Sequence, residues 1–294
     1  MERDDYLAGQ FEEHRDHLKG VAYRMLGSVP EAEDAVQEAW LRLHRTDDEG
    51  IENLGGWLTA AVARVSLDML RARRIRRHDP LEEGRLPEPL VAREGDLDPE
   101  HEALLADSVG LALLVVLETL TPAERLAFVL HDMFSVPFSE IGEIVGRSPE
   151  ASRQLASRAR RRVRGSAPVP DPDLRRQREV VDAFLAAARE GRFDDLVAVL
   201  DPDIVLRVDG GEALGTRIVR GASDVAKQAF TNGGPLARFA QPAVVNGVAG
   251  FVVARDGAPI AVAALSVADG KVVEMDILAD PERLAKLDLS DFIA

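Results

Sequence analysis

Arginine is concentrated in two short segments of this sequence, and such segments can bind the phosphate groups of nucleic acids. The first, from Arg64 to Arg77, has six arginines and one acidic residue. The second, from Arg147 to Arg164, has seven arginines and one acidic residue. The whole chain has a formal net charge of −15, so these segments are exceptions within an acidic composition. They predict two DNA-binding surfaces, although a single basic helix face is often only a solvated surface.

Asp209 suggests a different chemistry, because a carboxylate in an apolar pocket can act as a general base. After residue 174, however, the chain has no His, Cys, Tyr or Trp, so the usual catalytic partners are missing. Since Gly210 and Gly211 follow it, we expect Asp209 to form a turn or a contact between domains. We predict that the protein is not an enzyme and has no cofactor.

Metal binding and membrane insertion are not expected either. The chain has no cysteine, and its six histidines show no metal-ligand spacing. The N-terminal segment is highly charged, and no stretch approaches 18 uninterrupted apolar residues. The sequence therefore predicts a cytoplasmic protein.

The first basic segment ends a predicted pair of helices. From Ala32 to Leu43 the apolar residues follow helical spacing and form one stripe, which leaves a polar face. That face contains Glu33, Asp34, Gln37 and Glu38. A second helix is predicted from Leu54 to Arg77.

The second basic segment lies in a predicted helix-turn-helix. Thr121-Pro122-Ala123-Glu124 has the residues of a capping box and predicts a helix start. A short helix from Ser139 to Val145 should end at Gly146, and Ser148-Pro149 should begin the next. The apolar spacing of that helix turns arginines outward, so it could lie in a major groove.

Proline and acidic residues mark two linkers. Residues 79–107 contain ten acidic residues and four prolines, which forbid a continuous helix. Its most specific part is Arg85-Leu86-Pro87-Glu88-Pro89-Leu90, a stiff segment suited to being held against another surface. A second proline-rich linker covers 166–173. Beyond it, helices precede strands joined by Asn-Gly and Asp-Gly pairs, which predict β-hairpins and a curved antiparallel sheet packed against the preceding helices.

Three stretches resemble the extracytoplasmic-function sigma factors of bacterial RNA polymerase. Residues 27–42, GSVPEAEDAVQEAWLR, resemble the helix that binds polymerase. Residues 57–77 resemble the helix that melts the promoter and recognises the minus-10 element, although Val65 stands where many relatives have asparagine. Residues 138–164 resemble the helix-turn-helix that recognises the minus-35 element.

The remaining chain is similar to the sigma-J-like subgroup, which carries a SnoaL-like extension. Arg85-Leu86-Pro87-Glu88-Pro89 is similar to the subgroup's Trp-Leu-Pro-Glu-Pro motif, with arginine in place of tryptophan. Val208-Asp209-Gly210-Gly211 is similar to its Asp-Gly-Gly-Gly motif, with Glu212 in place of the last glycine. Asp280-Pro281-Glu282-Arg283-Leu284 resembles its terminal Asn-Pro-Asp-Lys-Leu motif.

The resemblance implies a multidomain fold of two all-α domains followed by an α+β SnoaL/NTF2-like cone domain. The expected boundaries are 1–80 for sigma region two, 81–107 for an acidic linker, 108–165 for sigma region four, 166–173 for the second linker and 174–294 for the extension. The implied partners are core RNA polymerase and promoter DNA, without a membrane, and a small-molecule ligand of the extension stays an open possibility. The implied function is an alternative sigma factor that its own extension regulates.

The resemblance also assigns roles to residues. Polymerase contacts are expected from Glu33, Asp34, Gln37 and Glu38. DNA contacts are expected from Arg64, Arg71, Arg73, Arg74, Arg76, Arg77, Arg153, Ser157, Arg158, Arg160 and Arg161, with Arg153 and Ser157 at base edges. Regulatory contacts are expected from Leu86, Pro87, Glu88, Pro89, Asp209, Gly210 and Gly211.

Two other functions stay open at the level of sequence. One is a SnoaL-type cyclase or isomerase fused to a DNA-binding module, which the scarcity of catalytic side chains disfavours. The other is a repressor that uses only the helix-turn-helix. Such a repressor would need neither the acidic face at 33–38 nor the arginines of 64–77.

Overall fold

The structure is a computed structural model that describes residues 2–46, 51, 53–76, 85–93, 110–166 and 169–293. The chain divides into two compact units. Unit 1 comprises residues 1–80 and 116–166, and unit 2 comprises residues 81–115 and 167–294. Within the described ranges, no helix has the length and apolar character needed to cross a membrane.

Three helices form the first part of unit 1. They are α1 (Glu2–Leu26), α2 (Val29–Arg45) and α3 (Leu54–Arg76). The predicted apolar stripe of α2 is confirmed, because its buried residues are Ala32, Ala35, Val36, Ala39 and Leu43. The Trp40 ring lies 4.9 Å from the ring of Phe11 in α1. This packing leaves the opposite, acidic face of α2 in solvent.

The second part of unit 1 has the predicted helix-turn-helix. Its helices are α4 (Leu111–Glu118, which begins in unit 2), α5 (Pro122–Phe128), α6 (Phe138–Val145) and α7 (Pro149–Ser166), with a π-helical turn at Val129–Met133. The capping box that begins α5 is confirmed, since Thr121 and Glu124 exchange backbone and side-chain hydrogen bonds. Gly146 ends α6 in the left-handed conformation at φ 69°, which glycine adopts at little cost. The turn thereby sets the direction of α7.

Unit 2 is an α+β domain. Its helices are α8 (Leu174–Glu190), α9 (Phe193–Val199), α10 (Gly211–Leu214), α11 (Ala222–Gln228), α12 (Gly234–Ala237) and α13 (Pro281–Leu284). Its strands are β1 (Val91–Ala92), β2 (Leu200–Asp209), β3 (Thr216–Arg220), β4 (Ala240–Val245), β5 (Val248–Arg255), β6 (Ala258–Ala268) and β7 (Lys271–Leu278). A π-helical turn at Ala229–Gly233 and a 3₁₀ turn at Ser290–Phe292 complete the described elements.

The seven strands form one sheet in the order β1-β4-β5-β6-β7-β2-β3. Only β2 and β7 pair in parallel; every other described pair is antiparallel. The three predicted hairpin turns are confirmed, because Asn246, Asp256 and Asp269 and the glycines after them all have positive φ. This is the type I′ geometry that suits the twist of two paired strands.

One face of this sheet packs on helices. Phe184 and Leu185 of α8 share a buried core with Leu206, Phe251 and Met275 of the sheet. Arg178 of α8 fixes this contact by donating hydrogen bonds to the carbonyl oxygens of Gly250 (2.8 Å) and Ala243 (2.6 Å). The α+β fold expected for the extension is therefore confirmed.

The first linker contributes a strand that the sequence analysis did not predict. Val91 and Ala92 pair with Val245 and Val244, so β1 adds to the edge of the sheet beside β4. Prolines and acidic residues around this segment concealed the strand, which is only two residues long. The described part of the linker, residues 85–93, is thus ordered against unit 2.

Candidate functional site

The predicted polymerase-binding residues lie together on the solvent face of α2. Glu33, Asp34 and Gln37 are exposed, whereas Glu38 is half-buried. Glu38 accepts a hydrogen bond from Arg42, one turn later, at 3.1 Å. This face presents a net negative charge on a helix whose other side is fixed by packing.

The arginines of α3 divide into two groups. Arg64, Arg71 and Arg74 are exposed, so their guanidinium groups can reach phosphate. Arg73 instead points inward, donates to the carbonyl oxygen of Leu26 at 3.1 Å and forms an ion pair with Glu31.

Arg76, Arg77 and Val65 are the remaining positions that the sequence singled out in this segment. The side chain of Arg76 and the whole of Arg77 lie outside the described residues. Val65 is 6% exposed, which makes it a packing residue rather than one that offers a base contact.

The exposed face of α7 carries most of the second predicted set. Arg153, Ser157, Arg158 and Arg161 are exposed, while Arg160 is half-buried and forms an ion pair with Asp132. The guanidinium carbon of Arg153 lies 5.4 Å from the Phe138 ring centroid. Such stacking orients an arginine without using its hydrogen-bond donors.

Glu124 holds the N-terminus of α5 against the basic helix α7. Arg162 and Arg158 lie 3.5 Å and 3.8 Å from its carboxylate. Burial alone would raise the pKa of Glu124, but hydrogen bonds from Thr121 and these two positive charges outweigh burial and lower the pKa below its ordinary value.

The two basic surfaces meet within unit 1. Arg71 and Arg74 of α3 line the same depression as Arg158 of α7 and Arg147 in the turn before α7. A buried arginine, Arg125, links the helices beneath it.

The links made by Arg125 are polar and specific. Its Nε donates to the carbonyl oxygen of Arg24 at 3.1 Å, and its Nη1 donates to Glu118 at 2.6 Å. Arg125 therefore joins α5 to α1 and α4 within unit 1.

Asp209, at the end of β2, joins the first linker to the sheet. Its side chain is buried, and Oδ2 accepts a hydrogen bond from the backbone N–H of Leu86 at 2.9 Å. The same oxygen pairs with the guanidinium of Arg283, whose other nitrogen donates to the carbonyl oxygen of Leu86 at 2.7 Å. We call the group Leu86, Asp209 and Arg283 the linker clasp.

Electrostatics favour the pairing in the linker clasp. Burial lowers the pKa of Arg283, and the negative charge of Asp209 opposes that effect. Gly211 allows the loop after Asp209 to approach closely, because a Cβ there would lie 2.5 Å from the Asp280 carboxylate. Pro87 and Pro89 are buried and Glu88 is half-buried, so the predicted linker motif packs on unit 2 along its length.

A second anchor lies four residues after Leu86. The backbone N–H of Leu90 donates to Oδ1 of Asn246 at 3.1 Å, and the Asn246 N–H donates back to the Leu90 carbonyl oxygen at 2.8 Å. The sequence predicts Asn246 only as part of an Asn-Gly hairpin turn and assigns Arg283 no role. The similarity of residues 280–284 to a known motif was the signal that pointed to Arg283.

The Asp209 carboxylate is fully engaged, and the described residues offer no cluster of metal ligands. No group of three or more His, Asp or Glu side chains among them could hold a metal ion. Both oxygens of Asp209 are engaged, since Oδ1 accepts from the Gly211 N–H at 3.2 Å while Oδ2 serves the linker clasp. Three donors therefore hold the Asp209 carboxylate in place.

Comparisons with known proteins identify the two halves of unit 1. Residues 10–76 match sigma-70 region 2, and residues 110–163 match sigma-70 region 4. A chain with both regions in this order is a sigma factor of the sigma-70 class.

The full-length relatives define the family. The chain is 40% identical to the ECF RNA polymerase sigma factor SigJ of Mycobacterium tuberculosis, over 93% of this chain and 92% of that protein. It is 34% identical to the probable ECF RNA polymerase sigma factor SigI of the same species, over 98% of each chain. The crystal structure of SigJ superposes with a TM-score of 0.78 at 38% identity, over 96% of this chain and 99% of that one.

This protein belongs to the extracytoplasmic-function sigma factors of RNA polymerase. The predicted family, overall fold and sigma function are thereby confirmed, and core RNA polymerase and promoter DNA are its partners. The fusion of the sigma regions to an α+β extension is also confirmed, since the match to SigJ spans both.

Proposed function

We propose that the acidic face of α2 binds core polymerase and that the exposed arginines of α3 and α7 bind promoter DNA. The support for α2 is the exposed cluster of Glu33, Asp34 and Gln37 on a helix that packing holds rigid. Charge of one sign on a fixed surface steers a partner of opposite charge and orients it.

On α7, we assign base contacts to Arg153 and Ser157 and phosphate contacts to Arg158, Arg160 and Arg161. An arginine at a base edge can bind guanine through two hydrogen bonds, whereas a phosphate contact carries no sequence information. The stacking of Arg153 on Phe138 supports its place as the oriented, base-contacting residue.

The free protein is in a closed state that must open on the promoter. The minus-10 and minus-35 elements are about 25 base pairs apart, which is roughly 85 Å of duplex at 3.4 Å per base pair. Arg74 and Arg158 line one depression, so their helices cannot contact both elements at once in this arrangement. Polymerase and promoter must therefore bind an open form and shift the population toward it.

The α+β extension regulates this opening through the linker that joins the two sigma regions. The single observation that carries this proposal is the linker clasp, in which Asp209 and Arg283 hold both backbone groups of Leu86. Because the extension is tethered to the sigma regions, even a weak contact is made at high effective concentration. A linker held on the extension has less freedom to let the sigma regions separate.

We also propose that the extension has no enzymatic activity and that the protein acts in the cytoplasm. The engaged oxygens of Asp209 support the first point, and the location of RNA polymerase supports the second. A SnoaL-type enzyme would instead require turnover by this domain.

Reconstitution with core polymerase tests the proposal. Full-length protein should give promoter-specific initiation, and a chain that ends at Ser166 should initiate at a markedly different rate. The sign of the change follows from whether the extension mainly restrains the linker or also helps to hold polymerase.

A second variant keeps the chain whole. Asp209→Ala should shift initiation in the same direction as the truncation but by less, because the Asn246 anchor remains. Equal initiation by all three proteins would refute regulation by the extension, and initiation by none would refute our account of the DNA-binding and polymerase-binding surfaces.

A further inference from the structure

Unit 2 encloses a cavity that the sigma function leaves unused. Its volume is about 660 Å³, within the range of about 300–1,000 Å³ that is typical of small-molecule sites. The sheet contributes Leu206, Phe251 and Met275 to the lining, and the helices contribute Phe184 and Leu236. An apolar ligand in this open cavity would remove the surrounding apolar side chains from water.

The polar groups of the lining define which part of a ligand can enter. Among the described lining residues, Arg217 is the only one with a titratable side chain, and it is exposed. Gln228 and exposed Asn232 are the other polar side chains of the lining. Since a charge buried without a partner is costly, the part of the ligand inside must be uncharged.

Arg217 can accept an acidic group at the mouth of the cavity. It lies on β3 opposite Val208, which itself lines the cavity. No ion pair to Arg217 is found within the described part of the chain. An acidic end group there would gain a positive partner while remaining in contact with water.

The cavity wall is hydrogen-bonded to the linker clasp. Gly215 and Ala279 line the cavity. The Ala279 N–H donates to the backbone oxygen of Asp209 at 2.7 Å, and the Gly210 N–H donates to the Gly215 oxygen at 3.0 Å. Leu284, another lining residue, directly follows Arg283 in α13. A ligand that moves this wall must also move the groups that hold Leu86.

We propose that the cavity binds a small amphiphile, with an uncharged apolar body inside and an acidic end at Arg217, and that binding changes how firmly the linker clasp holds Leu86. The binding step is independent of the regulatory role proposed above. The coupling step rests on that role, because only a linker that regulates the separation of the two sigma regions lets a bound ligand alter that separation.

Two fluorescent probes with the same rings test the binding step on the full-length protein. Anilinonaphthalene sulfonate carries an acidic group, and N-phenylnaphthylamine is its uncharged counterpart. Both should bind saturably at one site per chain. Ala261→Trp fills the cavity from β6 and should weaken both probes at least tenfold, whereas Ala258→Trp, on the same strand but outside the lining, should not.

Charge is tested with a second matched pair on β3. Arg217→Gln should weaken the sulfonate roughly two- to fivefold, the effect of one exposed ion pair, and leave the uncharged probe unchanged. Arg220→Gln, on the same strand but outside the lining, should affect neither. Melting curves of each variant establish that the fold is intact. If Ala261→Trp does not weaken binding, the probes bind elsewhere and the proposed site is wrong; an equal loss of both probes in Arg217→Gln refutes the acidic end.

Hydrogen exchange at the Leu86 amide tests the coupling step. Saturating sulfonate should change this exchange rate in the wild type and not in Ala261→Trp. By reciprocity, Asp209→Asn should change the affinity for the probe. An unchanged Leu86 rate would refute the coupling. The Ser166 truncation would still change transcription if only the coupling were absent. The experiments therefore distinguish a failure of the ligand coupling from a failure of regulation by the extension.

Discussion

Breaking the linker clasp should release the linker while the two units stay folded. Asp209→Asn keeps the size of the side chain and removes its charge. Because Asp209 and Arg283 are 3% and 12% exposed at their side chains, the variant leaves a buried guanidinium without its nearest counter-charge, with only the weaker influence of Asp280 and Glu88 remaining. Removing one partner of a buried ion pair costs about 3–5 kcal/mol.

Part of this cost should be recovered when the second charge is also removed. Arg283→Met by itself should destabilise linker binding by a similar amount, because it leaves the Asp209 carboxylate unpaired. The double variant removes both charges, so its loss should be smaller than the sum of the two by roughly 1–3 kcal/mol. Glu212→Gln is the matched control, since it removes an exposed acid from the same loop.

Hydrogen exchange measures the release directly, because the Leu86 N–H donates to Asp209. A loss of about 3 kcal/mol should speed exchange at Leu86 by on the order of 100-fold. The Leu90 amide, held by Asn246, should respond less if the two anchors open separately. Unchanged Leu86 exchange in a folded Asp209→Asn variant would refute the clasp, and strict additivity in the double variant would refute a direct pairing of the two charges.

Three further outcomes follow from unit 1. Asp34→Arg should weaken binding to core polymerase, while Asp16→Arg, the same charge change at an exposed site on α1, should not; equal affinities in a pull-down would contradict the assignment. Arg153→Ala should cost roughly 1–3 kcal/mol and relax specificity at one promoter position, whereas Arg161→Ala should weaken all sequences alike and lower the salt slope by about one; identical losses would place Arg153 on phosphate. Because the pKa of Glu124 is lowered in the folded protein, its charge stabilises the fold at neutral pH by roughly 0.5 kcal/mol, and this contribution should be lost as the pH falls from the ordinary pKa of a glutamate through the lowered pKa of the folded protein. The melting temperatures of Glu124→Gln and the wild type should therefore converge in acid, and a constant difference would contradict this.

The sequence predicted those features that neighbouring residues determine. The start of α5 followed from Thr121 and Glu124, three residues apart, which satisfy each other's backbone groups. The hairpin at Asn246 followed from a dipeptide that tolerates positive φ. Helical spacing predicted the buried apolar stripe of α2. The residues that lie off this stripe were therefore predicted to form its acidic face.

Contacts between distant residues could not be predicted in the same way. Arg283 meets Leu86 across 197 positions of the chain; the motif at 280–284 singles out Arg283 but does not reveal its partner. The inward direction of Arg73 depends on Glu31 and the Leu26 carbonyl, which lie on other helices. Arg73 was grouped with the predicted DNA-binding arginines because it lies in the same basic segment. The composition of a segment gives the charge of each residue but does not show which side of the helix packs against the protein.

The small strand β1 has a consequence for the released state. It covers the outer edge of β4, and its pairing is limited to Val91 and Ala92. When the linker leaves, the N–H and C=O groups of that edge lose their partners, and an open edge is a template for another strand. Pro242 interrupts the donors along β4 and limits that template but does not remove it. In the released form that we propose, the uncovered edge of β4 would favour pairing with another chain, and the bound linker prevents this by covering that edge.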